Sequence, residues 1–525
     1  MNPRDQSFYR KIAYLVAMAL LLGVIFSISR PATPGAGGEG GSEGGVLARM
    51  RSEHGLSQTH LGEIDPAGET VRLATLGLRG VAANLLWNQA NDYKMKKDWT
   101  NLSATLNQLV KLQPNFVSVW RFQAWNLSYN VSVEFDDYRD RYHWVIRGIN
   151  FLMDGTEWND RQPRLWWDIG WFIAQKVGRA DEHRQFRRLF REDDEFHRRH
   201  AMYHPPGRYP VLDDRDNWLV GRQWFLDAEH LVDSAGASMG GLSPLLFRSD
   251  APMTQINYAD AIQREGVFGD VSENAWRVAA AEWQRYGLLE IPTTFDTIIQ
   301  LDHLERYRET AERLREELDE LTPGIREQIY QERYEALRPI EREAYDTPPA
   351  DRTDRQHQLA ADAQATFQIS HLEVAARVPR ANRDEARKLA ERITELEERA
   401  GHIDRYRQIV NYAYWRLRCR VEQTPEAVDA REFIYRAEQA LAAGNLPEAI
   451  DRYDEGFAKW RQVLDTHPGL LEDQTTIEDL MDTIDKYREL LDQLDQPLPD
   501  DFLLHDVISL HDRQQHRALG PYEGP

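Results

Sequence analysis

From Thr75 onward, apolar residues recur at helical spacing. Leu76, Leu78, Val81, Leu85 and Leu86 lead into Trp87, Ala90 and Tyr93. After Lys96-Lys97-Asp98 a second series runs Trp99, Leu102, Leu106, Leu109, Leu112 and stops at Pro114. Steps of three and four place each series on one helix face. Proline has no N–H and clashes with the preceding turn, so it ends the second series. The pattern predicts an αα-hairpin. It restarts with Phe116, Val119, Trp120, Ala124, Leu127 and Val131, answered by Tyr138, Tyr142, Val145, Ile149 and Leu152. A third start follows Pro163, with Leu165, Trp166, Ile169 and Ile173, answered by Phe186, Leu189 and Phe190. Helix pairs that repeat in this way predict a helical solenoid. Beyond residue 200 the pattern loosens. Asp216–Val232 reads as a helix and Gly236–Pro252 as a loop, and Tyr258–Gly266 with Asn274–Tyr286 reads as a further pair.

The later chain has a different pattern. Leu304, Tyr307, Ala311, Leu314, Leu318 and Leu321 form a heptad seam, interrupted at Thr322-Pro323-Gly324. Thr as N-cap with Pro at the first helical position would open a return arm through Ile325, Ile329, Leu337 and Ile340. After Pro379 a longer seam runs Ala386, Leu389, Ile393, Leu396, Ala400, Ile403, Val410, Tyr414, Leu417 and Val421, with Arg407 its one polar position. This seam is coiled-coil-like and is suited to packing within the chain or, as a homo-oligomer through 386–421, against a second copy.

At the other end, Ile12–Ser29 carries no charge. As a helix it spans about 27 Å, close to the ~30 Å hydrocarbon core. Arg4, Arg10 and Lys11 precede it and Arg30 alone follows, which favours a cytoplasmic N-terminus. A signal peptide would have a shorter apolar stretch and an Ala-x-Ala-like site, to which Ser27-Ile28-Ser29 is a poor match. The expectation is a single-pass signal anchor in a bacterial-type cell membrane, with the body extracytoplasmic. The next stretch, PATPGAGGEGGSEGG, cannot bury anything and reads as a tether. The expected organisation is therefore 1–11 cytoplasmic, 12–29 transmembrane, 30–70 linker, 71–290 aromatic-rich helical domain, 295–425 charged long helices, 430–496 a C-terminal helical unit and 497–525 a tail. The fold class is all-α.

Composition sharpens this outline. Thirteen of the fifteen tryptophans lie between Trp87 and Trp283, so the two halves differ in chemistry. Net charge is −22, which repels phosphate backbones and argues against nucleic acid. The single cysteine, Cys419, cannot form an intramolecular disulfide or a thiolate cluster.

Two stretches resemble a known repeat. Leu86, Ala90, Tyr93, Trp99, Leu102, Leu109 and Pro114 resemble a tetratricopeptide repeat, and Trp120 and Ala124 recur one such period after Leu86 and Ala90. Leu102 stands where that repeat has a small residue. Phe433, Ala437, Ala440, Gly444, Leu446, Ala449, Tyr453 and Gly456 make the better match, although Pro468 closes it late. The stretch Asn84–Gly170 is also similar to uncharacterised membrane-anchored helical-repeat proteins of bacteria. The resemblance implies a concave groove that is lined by first-helix residues turned away from the core. Asn88, Asn91, Lys94, Asn126 and Asn130 are such polar positions, able to clamp an extended peptide by hydrogen bonds.

Catalytic signatures are absent. The glycine-rich stretch 35–45 lacks the lysine and the strand–helix context of a phosphate loop, and no G-x-S-x-G, H-E-x-x-H or C-x-x-C occurs. His197, His200 and His204, beside arginines and prolines, read as an exposed helix end rather than a metal site, and Glu192–Glu195 as a solvated face. The aromatic stripe reads chiefly as core. No cofactor, no metal and no enzymatic activity are expected. The expectation is a membrane-tethered scaffold that binds other proteins or peptides. The alternatives are a self-assembling structural membrane protein, or an enzyme with an unrecognised site in 200–270.

Overall fold

A computed structural model describes residues 79–204, 215–293 and 297–519, with isolated positions between 16 and 50. The expected anchor at 12–29 and the tether at 30–70 fall almost wholly outside the described residues. Among the described residues no helix is long and apolar enough to cross a membrane. The fold of the described residues is all-α apart from a two-residue antiparallel pair, Ile291–Pro292 with Ile298–Ile299.

The chain forms two compact units that divide between Ser243 and Pro244. The aromatic-rich domain expected over 71–290 therefore ends near residue 243, and 244–290 belong to the later unit.

In the first unit, α1 (Arg79–Met95) packs on α2 (Trp99–Leu112), and α3 (Val117–Trp125) on α4 (Tyr138–Trp158). Asp98 caps α2 by accepting from the Asn101 backbone N–H at 3.2 Å, and Asp137 caps α4 by accepting from Arg139 N–H at 2.7 Å. α5 (Pro163–Trp171) opens with proline at its first position, where no N–H is needed. Its principal partner is α8 (Asn217–Ala235), with α6 (His183–Glu192) and α7 (Asp194–Tyr203) intervening. The sequence pattern instead paired the third start with Phe186–Phe190, the next apolar face along the chain. Those residues are buried in the same core but do not form the antiparallel arm of α5. α5 and α8 touch backbone to backbone: a Cβ on Gly170 would stand 2.8 Å from the Gly221 carbonyl oxygen. The acidic run 192–195 is a helix break. Asp193 accepts from Phe196 N–H at 2.9 Å and from the Tyr142 hydroxyl at 3.0 Å.

In the second unit, α9 (Pro244–Arg264) packs on α10 (Asp270–Gly287). α9 runs straight through Pro252, so the expected loop 236–252 ends at residue 243. A proline inside a helix loses one hydrogen bond, and here it is tolerated in a fully packed site. α11 (Leu304–Leu321) is followed by α12 (Ile325–Ala336), α13 (Pro339–Asp346), α14 (Asp354–Thr366) and α15 (His371–Ala376). Its main partner is α16 (Arg383–Ile409), and not the return arm at 325–340. Thr322 closes α11, its hydroxyl donating to the Leu318 carbonyl at 2.7 Å, and Gly324 caps α12. The long seam breaks at Asn411 (φ 50°), and α17 (Tyr412–Glu422) follows. Ala386, Ala390, Ile393, Leu396, Ala400 and Ile403 are buried within the chain, while Ile409 at the end of the seam is exposed.

The chain closes with α18 (Pro425–Ala442), α19 (Leu446–Thr466) and α20 (Gln474–Asp492). α18 and α19 form an intimate pair, turned at Gly444 (φ 78°). The expected tail contains a further helix, α21 (His505–Leu519), docked through the buried Leu504 and Val507.

Candidate functional site

The first unit has a groove walled by α3 and α5, with a volume of about 470 Å³. Ser118, Arg121, Phe122 and Trp125 come from α3, and Arg164, Trp167, Asp168 and Trp171 from α5. Both sets have steps of three, one and three, which keeps each on one helix face. Phe172 completes the floor.

The walls are aromatic. Trp125 stacks on Tyr129 at 4.0 Å between ring centroids and lies 6.1 Å from Trp171, the planes 23° apart. Trp167 continues the row, 6.5 Å from Trp171. Trp125 remains 43% exposed, which is unusual for so large an apolar group.

Charge is built into the same walls. Arg121 and Arg164 share one carboxylate, Asp168: Arg121 donates through Nε and Nη2, and Arg164 through Nε at 3.1 Å. Asp168 is buried. Burial pushes its carboxyl above the ordinary range, and the two guanidinium groups pull it back. Two cations over one anion leave the groove with a net positive charge. Lys94 from α1 lies 5.1 Å above the Phe122 ring, and Lys176 lies 4.5 Å above Tyr129. Burial lowers the Lys176 ammonium from its usual value and pushes Tyr129 up to about 12.

Both groove helices end in a π-helical turn, Asn126–Val131 after Trp125 and Phe172–Val177 after Trp171. Such turns are rare and concentrate at functional sites.

The five polar positions expected to line the groove separate here. Lys94 reaches the rim, and Asn88 and Asn91 are exposed on α1. Asn126 is completely buried, which corrects its assignment to a solvent-facing position: its amide donates to Ser103 Oγ and Gln123 Oε1, both at 3.4 Å. Asn130 is half-buried and donates to Asn126 Oδ1 at 3.1 Å. α2 packs across this face through Ser103 and covers Asn126, a contact that the period of α3 by itself does not register.

The aromatics divide as well. Trp120, Trp218, Trp224, Trp276 and Trp283 are core, whereas Trp125, Trp167 and Trp171 line the groove. A sequence signal for this existed. Trp125 follows Trp120 by five residues, about 140° around a helix, so the two cannot share one buried face. Trp120, Trp125 and Val131 also recur at the same spacing as Trp166, Trp171 and Val177.

Of the histidines read as an exposed helix end, His200 and the side chain of His204 are buried and His197 is half-buried. His204 Nε2 is 2.6 Å from Asp227 Oδ2, and His200 bonds Gln223 Oε1 at 2.8 Å. Burial pushes His200 down to about 3. Among the described residues no group of three His, Cys, Asp or Glu side chains is placed to hold a metal ion. Residues 205–214, inside the stretch weighed for an enzyme site, lie outside the described ones. Comparison with known protein families finds no matching family model, and comparison with curated protein sequences finds no match.

Proposed function

We propose that this protein is a membrane-tethered scaffold. Residues 12–29 hold it in the bilayer, the glycine-rich stretch 30–70 gives it reach, and a tetratricopeptide-like first unit receives an extended segment of another protein in the groove between α3 and α5. The reading rests on one observation above the others: Trp125, Trp167 and Trp171 stand in a row, partly open to solvent, beside Arg121 and Arg164. Leaving such rings open forgoes roughly 25 cal/mol per Å² of apolar surface, a sacrifice that suits a surface completed by a ligand. Concave, mostly apolar sites of this size with a few convergent polar groups are the usual form of a binding pocket.

The test is photo-crosslinking in intact cells from a benzophenone side chain at position 125. Discrete crosslinked polypeptides, lost on Trp171→Ala, support the reading. A chain that crosslinks to nothing, or to the same partners after Trp171→Ala, refutes the groove. The anchor is tested beside it: a carbonate-washed membrane pellet should retain the full chain and release one lacking 12–29. Release of both refutes the tether.

A further inference from the structure

We infer that the groove selects an acidic peptide, an extended segment in which Asp or Glu side chains alternate with proline or aromatic residues. This rests on the groove being a peptide site, as proposed above, and adds which peptide it takes.

Charge carries the argument. The chain as a whole is strongly anionic, at −22. Its surface therefore repels an acidic segment and attracts a basic one. The groove reverses that preference. Arg121 and Arg164 share the single carboxylate of Asp168, so one positive charge is left over at the centre. Lys94 adds another at the margin, held over the face of Phe122, while Lys176 over Tyr129 is offset by the neighbouring Glu182 and Asp181. An acidic segment meets attraction in this groove against the net negative charge of the chain, which favours steering toward it.

Hydrogen bonding fits the same ligand. Arg121 uses Nε and Nη2 on Asp168, and its side chain is 37% exposed. Its Nη1 is the nitrogen that a ligand carboxylate takes, in the planar geometry that suits a guanidinium. Asp168 holds that guanidinium in place before the ligand arrives, so little side-chain entropy is lost on binding. The row Trp125–Trp171–Trp167 accepts flat or pyrrolidine groups between the charges, as aromatic grooves do for proline-rich segments. On α1, Asn88 and Asn91 lie three residues apart on the approach to Lys94, exposed and able to bond a peptide backbone.

The test uses the full chain in detergent micelles and fluorescence anisotropy of labelled peptides. The probes are a peptide alternating glutamate with proline and tryptophan, its glutamine counterpart, its lysine counterpart, and an anionic polysaccharide. The acidic peptide should bind at least about tenfold more tightly than the glutamine counterpart and weaken steeply as salt is raised, and the lysine peptide should not bind. Lys94→Glu, an exposed substitution that leaves the core untouched, should weaken the acidic peptide several-fold more than the glutamine peptide. Trp125→Ala should weaken both. Equal, salt-independent binding of the acidic and glutamine peptides overturns the acidic selection while the peptide groove stands. No peptide binding, or binding indifferent to Trp125→Ala, overturns the groove itself. Polysaccharide binding that depends on Trp125 without peptide binding overturns both in favour of a glycan.

Discussion

Arg407 reaches from α16 to Glu305 at the start of α11 and grips both of its carboxylate oxygens, at 2.6 and 2.8 Å, while its Nε donates to the Leu301 carbonyl at 2.6 Å. The guanidinium also sits 5.2 Å above the Tyr412 ring. The one polar position of the long apolar seam is therefore the clamp that registers α16 against α11. Its hydrogen bonds hold Glu305 below the ordinary carboxylate range. Arg407→Leu removes one donor from the Leu301 carbonyl and frees Glu305. Since Glu305 is largely exposed, most of the loss comes from the missing buried hydrogen bond and the lost packing, about 1–3 kcal/mol. Urea unfolding followed by circular dichroism measures it, and Arg407→Lys should recover only part.

The crossing of α5 and α8 offers a second test. Gly170→Ala drives a methyl group to 2.8 Å from the Gly221 carbonyl oxygen and against the Phe225 ring. Backbone cannot swing aside as a side chain does, so the helices must separate, at a cost of about 1–3 kcal/mol. Gly236→Ala is the control. Its φ of 62° strains any L residue, but open space surrounds it, and about 1 kcal/mol is expected. Thermal unfolding of the two variants separates crowding from backbone strain.

His200 makes the first unit sensitive to acid. Burial, with the nearby His204 ring adding to it, keeps the imidazole neutral down to about pH 3. An unfolded histidine takes its proton near pH 6.5. Between those values the unfolded chain binds the extra proton, so this contribution to stability is complete above pH 6.5 and lost progressively as pH falls toward 3. At pH 5 the loss is about 2 kcal/mol. His200→Gln should flatten the fall in unfolding free energy between pH 7 and pH 5. An unchanged slope would place the acid sensitivity elsewhere.

Cys419 should be chemically silent in the native protein. It is fully buried, and burial pushes its thiol up to about 12, so thiolate is scarce at neutral pH. A thiol reagent should label it only on unfolding, and as the chain's one cysteine it then reports on the second unit alone. Labelling at the rate of a free thiol would contradict its placement.

What was legible in the sequence was which face of each segment is buried. Leu102, Leu106 and Leu109 are fully buried, as their spacing requires, and so are Ile393 and Ile403. What was not legible was the partner that buries it. α11 and α5 each pair with a helix well beyond the next one, because a 3.6-residue period records a buried stripe and carries no address. Residues 244–252, read as part of a loop, are helical, and tertiary packing accommodates Pro252 inside that helix. Asn126 was misplaced for a third reason. Ser103 of α2 covers it, and nothing in its polarity announces that.

The two π turns carry a consequence of their own. One residue inserted into a helix swings everything downstream by about 100° and disrupts the hydrogen-bond ladder, so such an insertion seldom survives. Here it stands twice at one register, after Trp125 and after Trp171. The same break therefore ends both walls at matching positions, directly after a tryptophan. A ligand lying between them meets an aromatic ring at the same place on each side, Trp125 on one wall and Trp171 on the other.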